Sequence, residues 1–324
     1  MLGRRGNRPL LAAALLLCAA LGWLVAGWFI PGPLDRDKGF IVPDGASLSG
    51  VASKLEANGA ISSAATFRIR ARIFGGGAPI KAGEFMLPKG ASPSRILAII
   101  QGDAVLRRFV TIPEGMPSIM VYERLMANSQ LTGSIDVPAE GSVLPDTYEI
   151  DRGESRQAVL LRMQAAMQRT LSELWAKRSP NTAVTTPAAA LALAAIVEKE
   201  TGKPDERRVV AGLYSNRLRQ GIMLQADPTI IYPITKGKPL GRRIRQSEIQ
   251  AVNDYNTYTM IGLPKGPITN PGRASIEAVL NPAQTDALYM VADGSGGHLF
   301  AKTLDEHNAN VERWFTIRKA RGDF

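Results

Sequence analysis

The stretch TPAAALALAAIVEKETG, Thr186–Gly202, carries the signals of one helix with both ends marked. Thr186 is a good N-cap, Pro187 fits the first helical position, and Gly202 provides a C-terminal stop. The run is apolar until its last turn, where Glu198 and Glu200 appear. A helix C-terminus carries partial negative charge and disfavours acids. The placement therefore predicts either a solvated helix end or a carboxyl group that holds a proton.

Glu200 continues the apolar stripe of this helix, whereas Glu198 does not. Leu193, Ile196 and Val197 lie seven, four and three residues before Glu200, on its own side of the helix. Glu198 is rotated from Glu200 by about 200°, so the two acids cannot form a pair on one face. Apolar neighbours and the helix dipole both disfavour the ionised form. The pattern thus selects Glu200 as one candidate general acid with a raised pKa.

Composition sets the class of protein and of partner. The chain has 324 residues, of which 45% are hydrophobic and 21% charged, as in folded proteins. Its net charge of +10 favours an anionic partner. The basic residues are scattered and match no nucleic-acid motif, so we expect no nucleic-acid partner. The single cysteine excludes an intrachain disulfide, and two histidines without a ligand cluster predict no metal site and no cofactor.

An apolar segment near the N-terminus predicts a membrane anchor. Leu10–Ile30 holds 21 uncharged residues, close to the roughly 20 that span a bilayer. Trp23 and Trp28 near its far end resemble interface aromatics, and the arginines at positions 4, 5 and 8 predict a cytoplasmic N-terminus. The alternative is a cleavable signal peptide, whose apolar region is only about 7–15 residues long. We expect a retained anchor and a body outside the cytoplasm.

The first part of the body predicts a small α+β module. GFIVPDGASLSGVASKLEANGAI gives a strand, a turn and a helix capped by Ser47 or Ser49. IKAGEFMLPKGASPSRILAIIQGD repeats this order, with a helix from Ser92 or Pro93. The two halves suggest a β-α duplication.

The rest of the body continues the mixed pattern. RRFVTIPEGMPSIMVYERL predicts a strand, a turn and a helix, and the segment passes through EGSVLPDTYEI. A long helix is predicted from about Arg156 to Trp175. DGSGGHLF is typical of a β-turn between the strands ALYMVA and HLFA, which gives His298 no catalytic role.

Polar and aromatic residues concentrate after the acidic helix. Aromatic faces with amide and hydroxyl donors suit sugar rings, which need stacking and paired hydrogen bonds. A surface loop rich in glycine and proline is the structural alternative. The candidate substrate-binding residues are Asn216, Gln225, Asp227, Thr229, Tyr232, Tyr255, Asn256, Thr257 and Tyr258.

Several motifs in the same order resemble the MltG/YceG-like endolytic murein transglycosylases. They are LPDTY, IVEKET, NRL, LQADPTIIY, YNTYTMIGLPKGPITNPG, NPAQTDALYMVADGSGGHLF and HN, and they cover nearly all of the chain after the anchor. In that family the catalytic glutamate is the one before Thr in EKET, which here is Glu200. Lys265 in GLPKGP departs from the expected small residue or proline.

The resemblance implies an α+β protein with an N-terminal transmembrane helix, a LysM-like α/β module and a C-terminal mixed α+β catalytic domain. The predicted segments are 1–9, a cytoplasmic N-terminus; 10–30, the transmembrane helix; 39–103, the LysM-like module; 104–154, a connecting α+β segment; and 155–324, the catalytic domain. The implied location is the bacterial inner membrane, with the catalytic domain periplasmic. The implied partners are peptidoglycan glycan strands, the membrane and peptidoglycan synthases.

The implied reaction cleaves the β-1,4 bond between N-acetylmuramic acid and N-acetylglucosamine within strands, leaving 1,6-anhydro ends and limiting strand elongation. One carboxyl serves as acid and then base, unlike the two carboxylates of ordinary glycosidases. Asp227 or the substrate N-acetyl group would stabilise the positive charge. Water must be excluded, so a closed groove is expected. The alternatives are a muramidase using Glu200 and Asp227, and a non-catalytic wall-binding protein.

Overall fold

The computed structural model describes residues 8–322, so the arginines at positions 4 and 5 and the chain's last residue lie outside the described part. The fold is mixed α+β and divides into two compact units, the first ending at Arg108 and the second beginning at Phe109. The first unit contains α1 (Arg8–Phe29), β1 (Lys38–Val42), α2 (Leu48–Ala57), α3 (Ala64–Phe74), β2 (Gly83–Leu87) and α4 (Pro93–Gln101).

The other elements follow from the unit boundary onward. They are β3 (Arg108–Thr111), α5 (Ser118–Ala127), β4 (Thr147–Ile150), α6 (Arg156–Ala176), α7 (Pro187–Glu200), α8 (Arg207–Arg219), α9 (Asp227–Thr235), α10 (Gln246–Ile249), α11 (Arg273–Leu280), β5 (Tyr289–Ala292), β6 (His298–Ala301) and α12 (Leu304–Arg321). The strands form three two-stranded sheets, β1-β2, β3-β4 and β5-β6.

In the first unit, an antiparallel pair of strands supports three helices. Phe40 of β1 pairs directly with Phe85 of β2, so the two rings project from the same face of the sheet, and both are buried there. Ser47 and Ser92 cap α2 and α4 as predicted. Each half contains its predicted strand and helix, β1-α2 and β2-α4, with α3, capped by Ser63, between them, and the β-α duplication stays a prediction. The LysM-like assignment stays a prediction.

The helix α1 combines a possible membrane span with part of the first unit's core. Leu10–Phe29 is apolar and long enough to cross a membrane. Trp23 is 60% exposed, but Trp28 is only 3% exposed and packs into the core of the unit. The interpretation of Trp28 as an interface aromatic is therefore wrong, because its ring is buried by protein.

The second unit contains two hydrophobic clusters that meet along α6. One cluster joins β3, β4 and α5 to the first half of α6 and includes Met163. The bounds of α6 itself lie within one residue of those predicted. The other surrounds α7 and includes Met167. Residues 109–154 of the predicted connecting segment thus share one unit with the predicted catalytic domain, whereas residues 104–108 belong to the first unit. The separation of 104–154 from 155–324 as domains stays a prediction.

The predicted hairpin is confirmed near the C-terminus. β5 and β6 are antiparallel, and Tyr289 pairs with Ala301. The turn between them is held by Asp293, whose carboxylate accepts hydrogen bonds from the backbone N–H groups of Ser295 at 2.7 Å and Gly297 at 3.0 Å.

The start of α7 agrees with the sequence, but its stop signal differs. The Thr186 hydroxyl accepts a 3.1 Å hydrogen bond from the Ala189 N–H, and Pro187 begins the helix. The helix ends at Glu200 because Thr201 turns extended, at φ −137° and ψ 130°. Gly202 does not adopt a positive φ, so the prediction that it stops the helix is wrong.

Candidate active site

Glu200 faces a cleft of about 430 Å³ in the second unit. The cleft walls come from the end of α7, from α8, from the residues around the start of α9, from the β5-β6 hairpin and from α12. Residues that line it include Tyr214, Arg217, Gln225, Asp227, Tyr258, Tyr289, His298 and His307. The cleft is open to solvent, which differs from the closed groove that the sequence predicts.

The carboxyl of Glu200 is poised to exchange a proton near neutral pH. Burial raises its pKa to about 7, and the negative charge of Asp227 acts in the same direction. A hydrogen bond from the hydroxyl of Tyr214 opposes this shift. Burial and a nearby like charge both disfavour ionisation. The predicted rise in the pKa of Glu200 is thus present, with burial as its largest cause.

Asp227 brings a second carboxylate to the same cleft. It is the first residue of α9, where the positive end of the helix dipole favours a negative charge. Its Oδ1 accepts a 2.6 Å hydrogen bond from the hydroxyl of Tyr258. Glu200 and Asp227 therefore come from two different helices. The cleft holds one carboxyl with a raised pKa, Glu200, beside a carboxylate that accepts a hydrogen bond, Asp227.

Arg217 holds part of the cleft wall together. Its buried guanidinium donates to the carbonyl oxygens of Leu288 at 2.6 Å and Leu224 at 3.0 Å. It also lies 3.3 Å from the Gln225 side-chain oxygen and over the ring of Tyr289. Burial lowers the pKa of Arg217 from its ordinary value. The residue fixes the segment before α9 against β5, and Gln225 there adopts a left-handed φ of 53°.

A carboxylate–imidazole pair fixes another wall. Glu206 accepts from the His298 backbone N–H at 3.0 Å, and its other oxygen lies 2.8 Å from His298 Nδ1. The hydroxyl of Thr201 also bonds to Glu206 at 3.2 Å. These contacts tie the end of α7 to the β5-β6 hairpin, so His298 has a clear structural role.

Glu198 has different surroundings from Glu200, as the helical rotation predicts. Its side chain is 6% exposed and accepts a 2.9 Å hydrogen bond from the Gly272 N–H at the start of α11. Arg207 lies 3.8 Å from its other oxygen. Glu198 therefore binds two elements of the second unit together and does not face the cleft.

Of the predicted substrate-binding residues, three share the cleft with Glu200, namely Gln225, Asp227 and Tyr258. Asn216 does not line this cleft. Its amide nitrogen donates to the carbonyls of Thr285 at 2.7 Å and Ala287 at 3.1 Å. It thus orients the chain entering β5.

Thr229, Asn256 and Thr257 have no exposed surface. The hydroxyls of Thr229 and Thr257 share a 2.9 Å hydrogen bond, and Thr257 also accepts from the Ala226 N–H. The Asn256 amide donates to backbone carbonyls, including that of Ala251 at 2.7 Å. The structure gives these side chains no surface for substrate. Instead they hold together the segments that present Asp227 and Tyr258.

Tyr232 and Tyr255 form an aromatic pair with each other, and neither lines the Glu200 cleft. Their ring centroids are 4.8 Å apart at an angle of 49°. The Tyr232 hydroxyl bonds to Glu140. Of the three predicted tyrosines, Tyr258 thus lines the Glu200 cleft, whereas Tyr232 and Tyr255 lie together outside it.

The sequence reasoning missed cleft residues on distant elements. Tyr214 lies three residues before Arg217 on α8, which places both on one helix face, and this spacing was the available signal for Tyr214. Tyr289 and His307 stack at 5.3 Å across β5 and α12, and nothing local indicated that contact. Within residues 8–322, no group of three or more His, Cys, Asp or Glu side chains suits a metal ion.

The sequence profile of the YceG-like family matches residues 40–313, most of the chain and all of the cleft. The chain belongs to the YceG-like family. An endolytic murein transglycosylase of Bacillus subtilis is 25% identical to this YceG-like chain over 339 residues, covering 92% of this chain and 93% of that relative. Two enzymes of the same name from Streptococcus pneumoniae strains are 34% identical over 179 residues, covering 53% of this chain and 31% of their own length.

A solved structure supports the same family at the level of the fold. The crystal structure of a YceG-like protein from Listeria monocytogenes is similar with a TM-score of 0.53 and 25% identity. The match covers 85% of this YceG-like chain and 98% of the other. The family assignment that the motifs implied is confirmed.

Proposed function

We propose that this protein is a membrane-anchored endolytic murein transglycosylase in which Glu200 is the catalytic acid and base. The observation that carries the proposal is a carboxyl group with a pKa of about 7 that faces an open cleft. Half of such carboxyls are protonated near neutral pH and half can accept a proton, which suits a group that acts in both directions. The names of the Bacillus and Streptococcus relatives agree with this chemistry.

The reaction uses one carboxyl group for two successive proton transfers. Glu200 donates its proton to the glycosidic oxygen as the bond from C1 of N-acetylmuramic acid breaks. The resulting carboxylate then takes the proton of the 6-hydroxyl while that oxygen bonds to C1. No water is consumed, so the masses of the two products sum to that of the substrate. The product carries a 1,6-anhydro end, and cutting within a new strand would limit its elongation.

The cleft residues have distinct parts in this proposal. The Asp227 carboxylate, held by Tyr258, lies near enough to raise the pKa of Glu200 and to favour positive charge on the sugar. Tyr214 supplies a hydrogen bond that orients the Glu200 carboxyl. Gln225, Tyr289 and the His307 ring offer polar and stacking surfaces for the glycan.

The first unit and α1 complete the proposal. We place α1 across the inner membrane with the N-terminus in the cytoplasm, and the rest of the first unit and the second unit outside. We assign the module of residues 39–103 to glycan binding without chemistry, and peptidoglycan synthases are the proposed partners. A reporter that works only outside the cytoplasm, fused after the C-terminus, should be active.

The presence of Asp227 beside Glu200 also favours an alternative, a muramidase that uses both carboxylates to add water. Digestion of purified sacculi followed by mass spectrometry separates the two reactions. Anhydro ends support the transglycosylase, because they are one water lighter than the reducing ends of hydrolysis. Reducing ends alone would establish the alternative, and the absence of any cleavage by folded protein would favour a wall-binding role.

A further inference from the structure

The last turns of α1 are held by the neighbouring helix α3. The Arg70 guanidinium donates to the carbonyl oxygens of Gly27 at 2.8 Å and Trp23 at 3.1 Å. It also lies 4.6 Å from the centre of the Trp23 ring, a cation–π distance. Gly27 allows this approach, because a side chain there would collide with the guanidinium. The contact fixes α3 against the far end of the predicted span.

A buried aromatic group strengthens the same contact. The Trp28 ring lies 5.8 Å from the ring of Phe67 and 6.1 Å from that of Phe74, both on α3. Trp28 is almost completely buried. Phe67 is buried as well, whereas Phe74 keeps 37% of its surface exposed, so the burial of Trp28 against Phe67 stabilises the contact between the two helices. α1 and α3 therefore form one packed body, and the depth of α1 in a membrane sets the depth of α3.

The length of α1 gives that depth. The apolar stretch Leu10–Phe29 has 20 residues, which at 1.5 Å per residue matches a hydrocarbon core of about 30 Å. Trp23 then lies about 9 Å, and Gly27 about 3 Å, inside the outer boundary. Because Arg70 bonds to both residues, it carries α3 to the level of the outer leaflet.

The solvent-exposed side of α3 has two adjoining strips. The strip nearer to Arg70 is apolar, and the strip farther around the helix is basic. Ile69 and Ile73 are 53% and 56% exposed and lie one turn apart on the same face. Arg68 and Arg72 follow them around the helix. Within residues 8–322, neither arginine forms an ion pair with a carboxylate. We call these four residues the α3 outer face.

We propose that the α3 outer face rests in the outer leaflet of the membrane, with the isoleucines among the acyl chains and the arginines on anionic lipid phosphates. A helix with an adjoining apolar and basic side suits an interfacial position. The inference rests on the proposed anchoring of α1, and it is independent of the reaction at Glu200. It means that the first unit lies on the membrane surface instead of extending freely into the cell wall.

Depth-dependent fluorescence quenching of the full chain in nanodiscs with phosphatidylglycerol tests this contact. In a Cys18→Ser background, a fluorophore is attached at Ile69→Cys or Ile73→Cys, and lipids carry a nitroxide near the headgroup or near the chain end. Leu21→Cys, exposed within α1, reports whether α1 spans the bilayer. Val252→Cys, an exposed apolar site in the second unit, is the matched control.

We expect headgroup-level quenching at Ile69→Cys and Ile73→Cys that exceeds quenching at Val252→Cys by at least about twofold. Quenching at Leu21→Cys with none above the control at the two α3 sites would overturn the proposal and leave the anchor intact. No quenching at Leu21→Cys would instead refute the membrane span, and the proposal with it.

A second measurement tests the basic side of α3. Arg68→Gln combined with Arg72→Gln should lower headgroup-level quenching at Ile73→Cys in anionic nanodiscs and have little effect in zwitterionic ones, because the attraction requires anionic lipid. Equal quenching with and without the arginines in anionic nanodiscs would contradict their assignment to lipid phosphates.

Discussion

Glu140 and Glu200 are two glutamates of the second unit that resemble each other in their electrostatics but differ in their contacts. Burial raises the pKa of both, and each accepts a hydrogen bond from a tyrosine hydroxyl, Tyr232 for Glu140 and Tyr214 for Glu200. A raised pKa alone would therefore select both as catalytic candidates.

The remaining hydrogen bonds separate the two sites. Glu140 also accepts from the Ser118 N–H at 2.8 Å and lies 3.4 Å from the Asn270 amide nitrogen, so it closes the start of α5. Among the described residues, Tyr214 is the single hydrogen-bond donor to the Glu200 carboxyl, and the second carboxylate, Asp227, lies nearby. The comparison teaches that an acid with unused hydrogen-bonding capacity in a cleft is available for chemistry, whereas a saturated one stabilises the fold.

The largest effect on activity is expected from replacing Glu200, the proposed proton donor. Glu200→Gln should reduce release of anhydro-muropeptides by on the order of 10²–10⁴-fold, because the amide keeps the shape of the side chain but cannot donate a carboxyl proton. Glu198→Gln, two positions away on the same helix, should retain much more activity. Circular dichroism controls for folding. A folded Glu200→Gln protein that cleaves near the parent rate, or a dead Glu198→Gln, would show that the wrong acid has been assigned.

Removal of the Glu140 carboxylate should lower the stability of the fold and leave the catalytic activity of the folded protein unchanged. Glu140→Ala should lower the free energy of unfolding by roughly 3 kcal/mol, because donors from Ser118, Asn270 and Tyr232 lose their acceptor. Glu140→Gln keeps an acceptor oxygen and should cost less. Denaturant titration measures both variants, and activity per folded molecule should stay near the parent value. Loss of activity in stable Glu140→Gln would remove the distinction between the two sites.

Replacement of Glu200 should have the opposite effect on stability above neutral pH. Its pKa of about 7 in the folded protein exceeds the ordinary 4.5, so ionisation costs the folded state stability as pH rises from about 4.5 through 7. Glu200→Gln should therefore raise the free energy of unfolding at pH 8 by roughly 2 kcal/mol, after allowing for the bond from Tyr214. Little gain is expected at pH 4. Unfolding curves at both pH values check this, and an equal gain at both would contradict the electrostatic cause.

The smallest expected effect is a displacement of the pH profile. With Glu200 required in its protonated form, kcat/KM should fall about tenfold per pH unit above pH 7. Asp227→Asn removes a like charge and should move this decline to lower pH. Tyr214→Phe removes a bond that lowers the pKa and should move it to higher pH. Shifts of the same sign in both variants would be incompatible with the proposed roles.

Local features of the chain were predictable to a useful degree. Thr186 and Pro187 mark the start of α7, and the helical rotation separates Glu200 from Glu198. The hairpin and α6 also follow from turn chemistry and periodicity. These features depend on residues within a few positions of each other, so the sequence by itself determined them.

The tertiary structure decided what no local pattern contains. It brought Asp227 to Glu200 and divided the neighbouring tyrosines between two sites. It buried Thr229, Asn256 and Thr257, although their polar character suggested contact with sugar. It also placed α3 against α1. Burial and charge interactions depend on distances between segments that are far apart along the chain, and only the packed fold sets those distances.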